Sequence, residues 1–150
     1  MSFYFAYGSN TNPYHINKYC KNIVIYTVGI LEYYDLCFQN SELSKNSYCN
    51  IIYNPNYNSR VFGVIYYIDD EDEFALDKKE YFGLVYKKIN IVVKDKDDNL
   101  YNCWTYQIIN PSLQGLYPSL NYFNLVRGGY LFYNIPLIQL YKALLEISGT

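Results

Sequence analysis

Phe3 to Tyr7 is an apolar, aromatic run that stops at Gly8-Ser9-Asn10, with Asn12-Pro13 close behind. Glycine lets backbone approach a ligand closely. The N–H groups that follow such a turn can point into open space and hold a carboxylate or a developing oxyanion. A turn from strand to helix needs glycine for its own sake, so this loop alone does not specify a site. Glu80 is a second candidate. It ends Leu76-Asp77-Lys78-Lys79-Glu80 and, four residues after Leu76, shares a helix face with it. A carboxylate so placed can take a proton from one substrate atom and return it to another. An exposed glutamate paired with Lys78 or Lys79 is the plain alternative. Tyr122, within Pro118-Ser119-Leu120-Asn121-Tyr122 and ahead of Gly128-Gly129, is a third. Its hydroxyl can donate to a ligand, or its ring can simply pack.

These residues need elements to hold them. The pattern predicts a strand over Phe3–Tyr7 and then a helix capped by Asn12, opened by Pro13 and running to about Cys20. Ile23–Phe38 reads as strand with a bulge at Gly29, and Tyr48–Tyr53 and Val61–Ile68 read as further strands. Gly63 marks a close backbone approach. Asp69-Asp70 start a helix through Glu80, with acids in the first turn where the dipole favours them. Leu84–Lys94 and Leu100–Ile109 form a hairpin around Asp95–Asn99. Tyr122–Val126 is a short helix. Pro136 opens the last one, with Leu137, Leu140, Tyr141, Leu144 and Leu145 as its apolar stripe and Gly149 as its stop. About six strands with three or four helices, neighbours joined by turns, make an α+β class with a mixed, mainly antiparallel sheet or barrel.

The chain has 150 residues, the length of one domain over 1–150. A net charge of −2 with both signs scattered gives no footprint for nucleic acid or an anionic membrane. Met1 to Asn10 lack the basic start and apolar run of a secretory leader, so a cytoplasmic location is expected. No stretch approaches the apolar length of a membrane span. The 4 cysteines, Cys20, Cys37, Cys49 and Cys103, form no Cys-x-x-Cys pair, and His15 is the only histidine. Reduced structural thiols are therefore expected and no metal site. Tyrosine reaches 21 residues beside abundant Asn, Ile and Lys, which reads as a codon bias rather than a functional code.

Taken together, the segments resemble the gamma-glutamylcyclotransferase (AIG2-like) family. Tyr4-Phe5-Ala6-Tyr7-Gly8-Ser9-Asn10 is similar to its N-terminal signature, and Val61-Phe62-Gly63-Val64 to its V-x-G-V strand. Leu76-Asp77 with Glu80 is similar to its L-D-x-x-E motif. Pro118-Ser119, Tyr122, Gly129 and Pro136 follow a later family pattern in order. The resemblance implies a small barrel with flanking helices and a cavity beside the signature loop. It implies that Tyr4, Phe5, Ala6, Tyr7, Gly8, Ser9 and Asn10 bind substrate, that Tyr122 lines the cavity, and that Glu80 is the catalytic acid/base. The substrate would be a gamma-glutamyl amino acid or gamma-glutamylamine, a small molecule of glutathione metabolism. Its alpha-amine attacks its own gamma-carbonyl and releases 5-oxoproline, a lyase or acyltransferase type of reaction that needs no cofactor. Glutathione itself ranks lower, because its specific branch carries a different residue after Gly-Ser. A homodimer is compatible with this reading. Two departures stand out: Tyr81 where many relatives have glycine, and an altered small-residue segment around Cys49-Asn50-Ile51. They open an alternative, a non-catalytic ligand-binding or interaction module that keeps the cavity.

Overall fold

The computed structural model describes the whole chain except residues 44, 113, 114, 149 and 150. Its strands are β1 Ser2–Ala6, β2 Val24–Glu32, β3 Tyr34–Gln39, β4 Tyr48–Tyr53, β5 Arg60–Ile68, β6 Tyr86–Lys94 and β7 Leu100–Ile108. Its α-helices are α1 Pro13–Ile16, α2 Asp70–Lys79, α3 Leu120–Phe132 and α4 Ile138–Ser148, and one 3-10 turn covers Ser9–Thr11. Five strands close into a barrel in the order β1-β5-β2-β6-β7, while β3 and β4 form a separate two-stranded sheet. Of the barrel's pairings among the described residues, the β1–β7 seam is the parallel one, with Tyr4 opposite Trp104. Closure removes sheet edges and puts β1 between two partners, so its end is rigidly held where the loop to Gly8 begins.

Two glycines show why backbones can meet here. A Cβ built on Gly63 would lie 2.3 Å from the Ala6 carbonyl oxygen, so any side chain would push β5 off β1. A Cβ on Gly129 would lie 2.1 Å from Thr11 Oγ1 and 2.6 Å from the Asn12 nitrogen. Gly128-Gly129 therefore do not end a helix. They sit inside α3, which spans 13 residues from a Ser119 cap and rests directly on the 3-10 turn. The helix expected over Tyr122–Val126 is therefore longer at both ends, because its packing on the turn outweighs the low helix propensity of two glycines.

Other expectations shift for similar reasons. The long strand over Ile23–Phe38 is two strands, split at Tyr33, which takes φ 67 with neither glycine nor proline to announce it. The register shift in β2 falls between Ile25 and Thr27, not at Gly29. On α4, Leu140 and Ala143 are buried, whereas Tyr141 and Leu145 are 40% and 68% exposed. The inward stripe thus runs through buried Leu140 and Ala143 with half-buried Leu137, Leu144 and Ile147, while Tyr141 and Leu145 lie more toward solvent. The Gly149 stop lies outside the described residues. No described helix is long and apolar enough to cross a membrane.

Candidate active site

Where β1 ends, the chain turns through Gly8 into the 3-10 turn, and Asn12 then caps α1 by accepting from the N–H groups of Tyr14 and His15. The carbonyls of this stretch are tied down one by one. Thr105 donates to the Phe5 carbonyl at 2.6 Å and Tyr130 to that of Tyr7 at 2.6 Å. The Thr11 hydroxyl and N–H both reach the Gly8 carbonyl, and Tyr66 donates to that of Asn10 at 2.8 Å. The N–H groups of Gly8, Ser9 and Asn10, by contrast, meet no acceptor among the described residues. Carbonyls held away and N–H groups left open make a small anion-binding concavity.

Glu80 is delivered to this loop by α2. Asp69 caps the helix start, and the acids of the first turn meet the dipole as expected. At the other end Glu80 is the C-cap. The N–H of Tyr81 donates to the Lys78 carbonyl and that of Phe82 to the Asp77 carbonyl, the pair of hydrogen bonds of a Schellman ending. Tyr81 takes the left-handed position of that motif at φ 52, which is the physical reason glycine suits it. Its ring is 64% exposed at the cavity rim and does not plug the recess.

The Glu80 side chain is 14% exposed. Its Oε1 accepts from Lys79 Nζ at 2.7 Å and from Asn10 Nδ2 at 3.1 Å, while Oε2 has no partner among the described residues. Asn10 is fixed on both sides: its Oδ1 accepts from Lys79 at 2.7 Å and its amide also donates to Tyr4 Oη at 2.9 Å. Two connected spaces meet here. A recess of about 30 Å³ is lined by Tyr4, Tyr7, Gly8, Ser9, Asn10 and Tyr122, among others. A cavity of about 470 Å³ opens from it toward His15, Tyr81, Leu84 and Leu125. Ser9, Glu80, Tyr86 and Tyr122 line both.

The structure thus gathers Tyr4, Tyr7, Gly8, Ser9, Asn10, Glu80 and Tyr122 around one space. Phe5 and Ala6, also expected to bind substrate, do not reach it. They are 0% and 1% exposed within the barrel core, where Phe5 and the Ala6 carbonyl pack on Gly63. Tyr122 holds the wall through its hydroxyl, which accepts from the Cys49 N–H at 2.9 Å. A methyl on Gly8 would come within 3.1 Å of that hydroxyl and of Cys49 Cβ. Burial raises Tyr4, Tyr7, Tyr86 and Tyr122 well above the usual phenol range, so each hydroxyl keeps its proton.

Lys79, His15 and Tyr86 were missed. The plain alternative pairs an exposed Glu80 with Lys78 or Lys79, yet Lys79 is as buried as Glu80 and lies 5.3 Å from the Tyr19 ring centroid. Nothing in the local pattern separates it from Lys78. Burial, then the nearby charges of Lys79 and Lys18, lower His15 to about 4, so its imidazole is neutral at physiological pH. The cysteines Cys20, Cys37, Cys49 and Cys103 are unpaired and pushed up to about 12 by burial, which leaves no reactive thiolate at neutral pH.

Comparison with known proteins agrees with this architecture. A solved gamma-glutamyl cyclotransferase superposes with a TM-score of 0.82 at 24% identity, over 95% of this chain and 85% of that one. An uncharacterised human protein does so at 0.81 and 25% identity, with the same coverage of 95% and 85%. A yeast gamma-glutamyl cyclotransferase specific to glutathione reaches 0.67 at 12% identity, over 98% of this chain and 96% of its own. No curated protein matches the sequence. Residues 60–136, just over half of the chain, match the AIG2-like family. This chain belongs to the AIG2-like family and has the gamma-glutamyl cyclotransferase-like fold.

Proposed function

We propose that the protein releases 5-oxoproline from a gamma-glutamyl amide, with Glu80 as acid and base. The observation that carries this reading is the position of Glu80. Its carboxylate sits where recess and cavity join, one oxygen clamped by Lys79 and Asn10 and the other open. The family resemblance and the fold support it.

The chemistry asks little beyond what is present. The alpha-amine and the gamma-carbonyl belong to one molecule, so the protein has only to hold a conformer in which they touch. Orientation of that kind is worth roughly 7–11 kcal/mol. The nitrogen attacks the carbonyl carbon and closes a five-membered lactam. The open N–H groups of Gly8, Ser9 and Asn10 suit the substrate carboxylate or the oxyanion that forms. As the bond to the leaving nitrogen breaks, Glu80 Oε2 takes the proton lost by the attacking amine and delivers it to the departing one. Proton transfer by a positioned carboxylate contributes about 10²–10⁴-fold. The reaction as drawn forms no bond to the protein.

The non-catalytic alternative drew on Tyr81 closing the site, and an exposed ring at the rim does not support it. The test is 5-oxoproline release from gamma-glutamyl amino acids, gamma-glutamylamines and glutathione, by wild type and Glu80→Gln. Release by wild type that falls at least about 10²-fold in the variant is expected. Equal release by both would remove Glu80 from the chemistry, and none from a folded wild type would return the protein to the binding class.

A further inference from the structure

We propose that the 470 Å³ cavity is a leaving-group subsite for an uncharged apolar or aromatic amine, so that the enzyme prefers gamma-glutamyl amides of such amines to gamma-glutamyl amino acids. This rests on the reading of Glu80 and the Gly8–Asn10 loop given above. The two spaces share Ser9, Glu80, Tyr86 and Tyr122, so a glutamyl group whose carboxylate end reaches the recess sends its amide substituent outward into the larger cavity. The volume lies within the roughly 300–1,000 Å³ of small-molecule sites and leaves room for a ring.

What lines that outer space is Leu43, Tyr48, Tyr81, Leu84, Val85 and Leu125. Tyr48 and Tyr122 stand edge to face at 5.0 Å, a wall on which another ring can stack or tilt. Charge tells the same story by its absence from the lining. Lys79 is the one lysine or arginine among the lining residues, and its ammonium is already engaged by Glu80 and Asn10. His15 lowered to about 4 offers a neutral imidazole, and its ring has no hydrogen-bond partner among the described residues. It suits an N–H or hydroxyl of a leaving group but supplies no positive charge. The alpha-carboxylate of a leaving amino acid would lie against leucine and tyrosine with the Glu80 carboxylate nearby and no free cation among the lining residues. A charge held on apolar surface beside a like charge and without a partner is disfavoured. An amine of the same shape lacking that carboxylate has no such burden.

The deciding pair is gamma-glutamylphenethylamide and gamma-glutamylphenylalanine, which differ by one carboxylate. Gamma-glutamylmethylamide removes the ring. The expected kcat/KM of the phenethylamide exceeds that of each of the others by about tenfold or more, the scale of one lost charged or apolar contact. Leu84→Arg, at a residue 63% exposed and so tolerant of the change, should narrow the gap between the phenethylamide and the phenylalanine compound by at least about fivefold. Calorimetric binding to Glu80→Gln reads the same ranking without turnover. If wild type releases no 5-oxoproline from any of the three, the catalytic reading fails. The binding ranking on wild type then still judges the subsite. Equal or tighter binding of the phenylalanine compound, or no binding of the phenethylamide, overturns the proposal.

Discussion

Replacing Asn10 by alanine tests the site at its most connected residue. Asn10 is 5% exposed and its side chain serves three neighbours at once: Tyr4 Oη, Glu80 Oε1 and Lys79 Nζ. Tyr4 is 3% exposed and its hydroxyl has no other hydrogen bond among the described residues, so the truncation strands a buried hydroxyl at a cost of about 1–3 kcal/mol. Lys79 and Glu80 keep each other at 2.7 Å and touch the cavity, so their loss is smaller, about 1 kcal/mol. The expected destabilisation is about 2–4 kcal/mol, which for a chain of this size lowers Tm by roughly 5–15 °C. Urea unfolding measures it directly. The origin is checked by a double-mutant cycle with Tyr4→Phe. Once the hydroxyl is gone, Asn10→Ala should cost at least about 0.5 kcal/mol less. Under the proposed function kcat also falls about 10–100-fold, because Glu80 loses the amide that aims it. A stability change under about 0.5 kcal/mol, or strictly additive single variants, would refute the reasoning.

Tyr81→Gly places the residue that a left-handed C-terminal position favours at φ 52, and the fold should gain about 1 kcal/mol in urea unfolding. A loss would show that the ring's contacts at the rim outweigh its backbone strain. His15 titrates near 6.5 in the unfolded chain and near 4 in the fold, so the unfolded state binds the extra proton between those values. Its contribution is complete above pH 6.5 and declines as pH falls toward 4. Unfolding midpoints of wild type should therefore drop more steeply over that window than those of His15→Gln. Parallel profiles would contradict a buried neutral imidazole.

The parts of this fold that were legible in the sequence are those fixed locally. Asn12-Pro13, Asp69 with its acidic first turn, and the Asp95–Asn99 hairpin each carry their own capping or turn chemistry and stand at the expected positions, although α1 ends at Ile16 rather than near Cys20. What escaped was set by partners distant in sequence. Tyr33 turns because β3 leaves the barrel to pair with β4, which no residue near position 33 announces. Gly129 lies inside α3 as a contact surface for Thr11, more than a hundred positions away, which no residue near it announces. The candidate site shows the same division. Glu80 and the loop could be found by motif. The burial of Lys79 and the neutrality of His15 follow only once α2, α1 and the loop are brought together. Phe5 and Ala6 were assigned to the binding loop because the motif runs through them, but strand geometry alone buries them in the barrel.

Tyrosine content is where a compositional reading proves incomplete. A codon bias accounts for residues such as Tyr14 and Tyr57, which are 81% and 79% exposed. It does not account for Tyr66 and Tyr130, both 0% exposed, whose hydroxyls end on the carbonyls of Asn10 and Tyr7. A phenylalanine there would fill the same volume and leave a buried carbonyl unpaired. The ring and the hydroxyl thus do separate things: one packs the core, the other keeps the loop's carbonyls turned away so that its N–H groups stay open. Tyr66→Phe and Tyr130→Phe should each cost about 1–2 kcal/mol in unfolding. Under the proposed function they should also raise KM for gamma-glutamyl substrates, since the loop's N–H groups lose their set direction. Tyr14→Phe and Tyr57→Phe should stay within about 0.5 kcal/mol of wild type. Equal behaviour of the buried and exposed pairs would mean that the hydroxyls hold nothing, and that the bias alone explains the count.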